Sequence, residues 1–314
     1  MTDVVTVGES LGLFRSEATG PLVPGTPVTF SFAGAESNVS IGLARLGLRV
    51  AMLGRVGDDP MGQVIGDQLR AEGVDPSRLV VDTDAPTAFM LRYHRIADRV
   101  VASYHRHGSA GSRLCRADVD EALVRSAKAL HTTGITLGLS LSARDAVEHA
   151  VELARPAGVT VSLDINYRSM LWSRQDAAAA LRSLIGRVDV VFGGEEELRL
   201  LTGETAPEAI AAAVRDLGPT EVVVKRGGRG AVALAGSETV AVPAVRVSCV
   251  DPVGAGDAFV AGYLSARLEG LDPAGRLRRG ALCGAFAVSV PGDWEGLPHR
   301  GELGLLSGAE DVHR

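Results

Sequence analysis

Short β-branched runs alternate along this chain with alanine-, leucine- and arginine-rich stretches of helical length, and that alternation constrains the fold more than any other feature. Strands are predicted at 4–7, 49–53, 129–132, 160–164, 188–192, 221–224 and 231–235. Helices are predicted between them at 38–46, 61–72, 143–155, 177–184, 206–217, 258–268 and 275–290. Strands followed by amphipathic helices build βαβ units, and these assemble into a mostly parallel sheet covered on both faces. The runs ending at Asp164 and Lys225 are almost continuously apolar, as strands buried on both faces must be. Two stretches break the pattern, 11–32 and 86–108. The first is rich in Gly and Pro. The second reads as a hairpin with strands 87–95 and 99–106 around a turn at 96–98. Both are expected to form a small second sheet standing off the main one, a lid. No linker, repeat or low-complexity tract divides the chain, so residues 1–314 are expected to form a single α/β domain with its lid.

A chain of 314 residues with 46% apolar and 22% charged residues can bury a large core without staples. No stretch reaches the ~18 apolar residues of a membrane span. The N-terminus reads as a strand, not a signal peptide, and a cytoplasmic location is expected. The net charge of −6 comes with no basic stripe, which argues against a nucleic-acid partner. Cys115, Cys249 and Cys283 show no metal-ligand spacing and are expected to be buried free thiols. His94, His105, His107 and His131 likewise lack ligand spacing, and Trp172 and Trp294 are expected to pack.

The stretch richest in chemistry is Asp251-Pro-Val-Gly-Ala-Gly-Asp257, leading into a helix. Glycines at a helix N-terminus let several N–H groups point at one ligand, and the helix adds partial positive charge. Gly254, Ala255 and Gly256 are thus an anion hole suited to a phosphate gaining charge during transfer. Asp257 beside it is a helix cap or a general base. No Walker-type P-loop is present, and no G-x-G-x-x-G follows the first strand, which disfavours a dehydrogenase.

This stretch resembles the second signature of the ribokinase/PfkB carbohydrate kinases. The first signature is also recognisable in Phe32-Ala-Gly-Ala-Glu-Ser-Asn38, Ala44-Arg-Leu-Gly47 and Leu53-Gly-Arg-Val-Gly-Asp-Asp-Pro-Met-Gly62. The resemblance spans essentially the whole chain. It implies a ribokinase-like fold, a Rossmann-like α/β domain with a small β-sheet lid, and transfer of the ATP γ-phosphoryl to a sugar hydroxyl with Mg²⁺. It also leaves room for a monovalent cation. By the resemblance Asp257 is the base, Gly254, Ala255 and Gly256 the anion hole, and Gly34 and Asn38 contact the sugar. The loop Lys225-Arg-Gly-Gly-Arg-Gly230 places Lys225, Gly227 and Gly230 beside the nucleotide. Glu197 matches the glutamate near the metal, held through water, while Gly194 stands where the family has Asn. Asp251-Pro252 replaces the commoner Asp-Thr.

Within the family the chain most resembles the 2-keto-3-deoxygluconate kinases. The resemblance rests on Ser103-Tyr-His-Arg-His-Gly-Ser-Ala-Gly-Ser112, on Ser162-Leu-Asp-Ile-Asn-Tyr-Arg168 with Leu171-Trp-Ser173, and on Gly292-Asp-Trp-Glu-Gly-Leu-Pro298. It implies a sugar acid as acceptor, phosphorylated to the 6-phosphate. A guanidinium grips a carboxylate through two parallel hydrogen bonds, and Arg106 and Arg168 stand at the matching positions. Tyr104, two residues from Arg106, shares its strand face. Asp293 is a candidate for the sugar hydroxyls. Phe89-Met90 stands where this branch often has a tyrosine. Two alternatives stay open: a fructokinase- or ribokinase-like kinase for a neutral sugar, and a catalytically silent sugar- or nucleotide-binding protein. The family also implies pairing of lid sheets in a homodimer.

Overall fold

The computed structural model describes residues 2–96 and 99–306. Fourteen strands occur among them, in chain order β1 (Val4–Val7), β2 (Leu11–Thr19), β3 (Thr29–Ala33), β4 (Val50–Gly57), β5 (Val74–Asp75), β6 (Leu79–Asp82), β7 (Phe89–Ile96), β8 (Arg99–His105), β9 (Ala129–Thr133), β10 (Thr160–Asp164), β11 (Val190–Gly194), β12 (Glu221–Lys225), β13 (Ala231–Ala235) and β14 (Glu238–Val242). The large sheet runs β14-β13-β12-β11-β10-β9-β1-β4-β5, with β6 also paired to β4. Every pairing from β12 to β5 is parallel, and the hairpins to β13 and β14 are antiparallel.

Both faces of this sheet are covered. Val161, Leu163, Val222 and Val224 point to one face and pack under the helices Leu141–Ala154, Arg174–Ile185 and Pro207–Arg215. Val4, Met52, Phe192 and Val223 point to the other, under Ala35–Arg45, Pro60–Ala71, Ala255–Leu268 and Pro273–Val288. Alternation of side chains along a strand sends neighbours such as Val222 and Val223 into different cores, which is why these strands are apolar throughout. The expected strands and helices are all present, with ends shifted by a few residues.

The lid is the second sheet, in the order β3-β2-β7-β8. Leu11, Leu13, Ala33 and Met90 form its own small core on the side facing the large sheet. The turn expected between β7 and β8 lies largely outside the described residues. Three strands were not anticipated, β5, β6 and β14, nor were the helices Glu121–Ser126, Gly134–Leu139 and Glu195–Thr202. β14 is an edge strand exposed along most of its length, so it lacks the apolar run of its neighbours. Only Cys283 of the three cysteines is buried. Cys115 is half-buried and Cys249 exposed, against the expectation, and all three thiols are free. His131 is fully buried, with Nδ1 3.0 Å from Ser162 Oγ, and burial lowers its pKa to about 4. No helix among the described residues is long and apolar enough to cross a membrane.

Candidate active site

Ligands of open parallel sheets gather outside the carboxyl ends of the strands, and the charged residues of this chain gather there. Glu9 follows β1, Asn166 and Arg168 follow β10, Glu197 follows β11, and Lys225 ends β12. The helix Ala255–Leu268 aims its N-terminus at the same place. Its N-cap, Gly254, has φ 77°, and no side chain caps it. A Cβ on Gly254 would lie 1.9 Å from the Asp293 carbonyl oxygen, so glycine is required twice over, by conformation and by space. Gly34 meets the same double constraint, with φ 151° and a Cβ position 2.3 Å from the Glu9 carbonyl oxygen.

Asp257 sits in the first turn of that helix and faces the cleft. Asn38 Nδ2 donates to its Oδ2 at 2.8 Å. Burial pushes the Asp257 pKa up to about 7. The Asn38 hydrogen bond opposes that rise, Asp164 adds to it, and Lys225 and Arg168 oppose it. Lys225 Nζ donates to Asp164 Oδ2 at 2.5 Å. Burial pulls the lysine down, but the carboxylates of Asp164 and Glu197 outweigh it, and its pKa is raised overall.

Two cavities meet here. One, of about 420 Å³, is lined by Gly34, Met90, Tyr104, Arg106, Arg168 and Asp257, among others. The other, of about 350 Å³, is more apolar and is lined by Gly227, Gly230, Val245, Val247, Ala255 and Phe259, among others. Lys225, Pro252 and Gly256 line both. A group passing from one cavity to the other therefore passes the helix N-terminus, the lysine and Asp257.

The family profile described as pfkB family carbohydrate kinase matches residues 1–300. The chain belongs to the pfkB family of carbohydrate kinases. It is 38% identical to the 2-dehydro-3-deoxygluconokinase of Bacillus subtilis (strain 168) over 316 residues, 99% of this chain and 98% of the relative. Among solved structures it resembles the PfkB protein from Polaromonas sp. JS666, with a TM-score of 0.88 and 41% identity over 97% of this chain and 99% of that one. A protein described as ribokinase II from E. coli, in complex with ATP and Mg²⁺, superposes with a TM-score of 0.90 at 27% identity over 98% and 99% of the two chains. The fold is that of the ribokinase-like kinases.

The kinase cleft brings together every residue singled out from the sequence. Gly34, Asn38, Tyr104, Arg106, Arg168, Glu197, Gly254, Asp257 and Asp293 border the first cavity, Gly227, Gly230 and Ala255 the second, and Lys225 and Gly256 both. The details differ from a simple row of ligands. Asn38 is buried and its amide is engaged by Asp257. The Arg106 guanidinium lies over the Tyr104 ring, 4.3 Å from its centre, a cation–π contact. Its Nη1 is 3.4 Å from Glu9 Oε2, while its Nε is buried without a partner. Arg168 is exposed at the rim. Of Phe89 and Met90, it is Met90 that lines the cleft. Glu197 Oε2 accepts the Gly194 N–H at 2.6 Å and so caps its own helix. Glu195 accepts from Arg226 and Arg229 and braces the glycine-rich hairpin.

Four residues that sequence reasoning passed over shape the site. Glu9 is buried beneath Arg106, and burial raises its pKa to about 7, with Arg106 opposing and Glu36 adding to the rise. Asp164 anchors Lys225. Asn166 holds a left-handed φ of 35°, a strained conformation that asparagine tolerates better than most residues. Arg92 joins Asp251 to Asp293. The one available signal was strand-end position, which marks all of these except Arg92.

Among the described residues no cluster of three or more His, Cys, Asp or Glu side chains is arranged to hold a metal. Mg²⁺ keeps several waters and binds through phosphates and one or two carboxylates rather than a protein cage. Glu197 is half-buried at the cleft beside Lys225, a single carboxylate of the kind such an ion uses.

Proposed function

We propose that this kinase transfers the γ-phosphoryl group of ATP to a hydroxyl of a 2-keto-3-deoxy sugar acid, forming the 6-phosphate of 2-keto-3-deoxygluconate. The observation that carries the reading is the meeting of a polar and an apolar cavity at Lys225 and Gly256, beside Asp257, with Arg106 and Arg168 in the lining of the polar one. The nucleotide base and ribose occupy the apolar cavity against Gly227, Gly230 and Phe259. The acceptor lies under the lid, its carboxylate toward Arg106 and Arg168, its hydroxyls toward Gly34, Asn38 and Asp293. Tyr104 backs the Arg106 guanidinium.

Asp257 takes the proton of the attacking hydroxyl, and its raised pKa matches that task near neutral pH. The N–H groups of Gly254, Ala255 and Gly256 meet the charge that builds on the transferred group, with Lys225 beside them. Mg²⁺ when bound neutralises phosphate charge, and Glu197 would hold it through water. The lid excludes water, which would otherwise compete as acceptor. The small sheet thus serves the large one within one kinase domain, and use of ATP supports a cytoplasmic location.

A neutral-sugar acceptor is the second reading. Two observations favour it. Arg106 already faces Glu9, and the position of Met90 offers no hydroxyl. An ADP-release assay with Mg-ATP and 2-keto-3-deoxygluconate, 2-keto-3-deoxygalactonate, gluconate, fructose and ribose separates the two. Turnover confined to the keto-deoxy acids is expected. Turnover on fructose or ribose alone transfers the assignment to the neutral-sugar kinases, and silence across the panel removes the sugar-acid reading.

The lid face turned away from the cleft supports a homodimer through the lid sheets. Phe14 lies 5.2 Å from Phe30 and 5.8 Å from Phe89, ring centre to ring centre, and Phe30 and Val101 are exposed. An apolar sheet face of this kind is covered at low cost by a second copy of itself.

A further inference from the structure

Arg92 stands on β7, two residues beyond Met90 and on the same face of the lid. Its side chain is 3% exposed and forks between two acids. Nη1 donates to Asp293 Oδ1 at 2.7 Å and Nη2 to Asp251 Oδ2 at 2.9 Å. Asp251 opens the anion loop. Its Oδ1 accepts the Val253 N–H at 3.1 Å, and its Oδ2 also accepts the Gly292 N–H at 3.2 Å. The backbone of Asp293 packs against Gly254, the N-cap of the helix that carries Asp257. One guanidinium therefore joins three segments: a lid strand, the anion loop, and the turn at 292–295.

Both acids are buried. Burial raises the Asp293 pKa to about 6. Arg92 opposes the rise, Glu295 and Asp251 add to it, and Arg15 opposes it. Buried carboxylates so close together need a cation or a proton between them. A planar guanidinium answers two carboxylates at once, which an ammonium or a single dissolved ion does less well.

We propose that Arg92 is a positioning residue for phosphoryl transfer: its guanidinium is the built-in cation of the anion loop, holding Asp251 and Asp293 in register with the acceptor, so that turnover needs no monovalent cation from solution. At this pair of acids the positive charge that a dissolved cation could supply comes from a side chain. Because the guanidinium comes from the lid, the seating of the lid and the order of the anion loop depend on the same two hydrogen bonds.

The proposal rests on the kinase reading and borrows from the sugar assignment only its assay substrate. Wild type that turns over no sugar in the panel defeats that assignment. Wild type that turns over one, with the outcomes below reversed, defeats this proposal alone. Steady-state kinetics with Mg-ATP would be measured with tetramethylammonium as the sole added monovalent cation, then with potassium, for wild type, Arg92→Lys and Arg92→Ala. The wild type is expected to keep its kcat within about twofold on adding potassium, and its Tm to stay unmoved. Arg92→Lys keeps the charge and loses the fork, and its kcat is expected to fall about tenfold with the KM for ATP little changed. Arg92→Ala is expected to lose more, and millimolar guanidinium to restore part of its kcat. A tenfold potassium requirement in the wild type overturns the proposal, as does Arg92→Lys with wild-type kcat. If Arg92→Ala does not fold, the lysine variant and the wild-type cation series decide. If it folds and guanidinium restores nothing, the residue is structural and the proposal fails.

Discussion

Asn38 Nδ2 donates to Asp257 Oδ2 at 2.8 Å, joining residues 219 positions apart. Each belongs to the start of a helix on the same face of the sheet. The contact sets the orientation of the Asp257 carboxyl and stabilises its charged form. It works against burial, which raises the Asp257 pKa and remains the larger influence. The carboxyl is thereby balanced near neutrality, able both to take a proton and to release it.

Replacing Asp257 by Asn keeps the shape and removes the carboxylate proposed as the base. We expect kcat to fall about 10²–10⁴-fold while ATP affinity, read by calorimetry, changes little. A variant that retains more than a few per cent of turnover would show that another group takes the proton.

The pH profile follows from the sign of the shift. Asp257 must be ionised to accept a proton, and its pKa of about 7 leaves much of it protonated below neutrality. kcat/KM should therefore climb with pH through about 7. Asn38→Ala removes an interaction that lowers this pKa, so the rise should move to higher pH. A profile flat down to the ordinary carboxylate range would count against this assignment.

Arg106→Ala should raise KM for a sugar acid by about 10–100-fold, the value of one or two charge-assisted hydrogen bonds. KM for a neutral sugar should move far less. Glu9→Gln offers the converse measurement. It frees Arg106 from its 3.4 Å partner, and KM for the acid should fall. Equal changes for both acceptor types would remove the carboxylate clamp.

Lys225→Met strips Asp164 of the cation bound at 2.5 Å. Asp164 is 1% exposed, so the loss should cost about 3–5 kcal/mol in denaturant unfolding. Adding Asp164→Asn should recover much of that stability without recovering activity. If activity returned with stability, Lys225 would be a structural residue only.

Phe30→Asp places a charge on the outer face of the lid, beside Phe14. Sedimentation should show the dimer proposed for the wild type replaced by monomer. A wild type that is monomeric at micromolar concentration would remove the lid-pairing proposal.

The central strands were legible because burial on both faces forces apolar runs, as at 222–224. β14 and the helix Glu195–Thr202 were not, the first because its edge is exposed, the second because it opens with three glutamates. The same contrast holds in the site. Gly34, Gly254 and Asp257 lie in local motifs whose spacing reflects one turn of backbone. Arg92 lies in none, and in a chain where all but two of the 32 basic residues are arginine its identity carries little signal. Its partners are 159 and 201 positions away.

Periodicity and local motifs were enough to anticipate the α/β class, the small second sheet and the glycine-rich helix start at 254–256, because each depends on residues close together in the chain. Folding alone decided which charges meet. It placed Glu9 under Arg106, Asp164 on Lys225, Asn38 on Asp257 and Arg92 between two acids. Such pairings depend on distances set by the packing of separate strands and helices, and in a buried cleft those distances determine which groups are charged and which way they point.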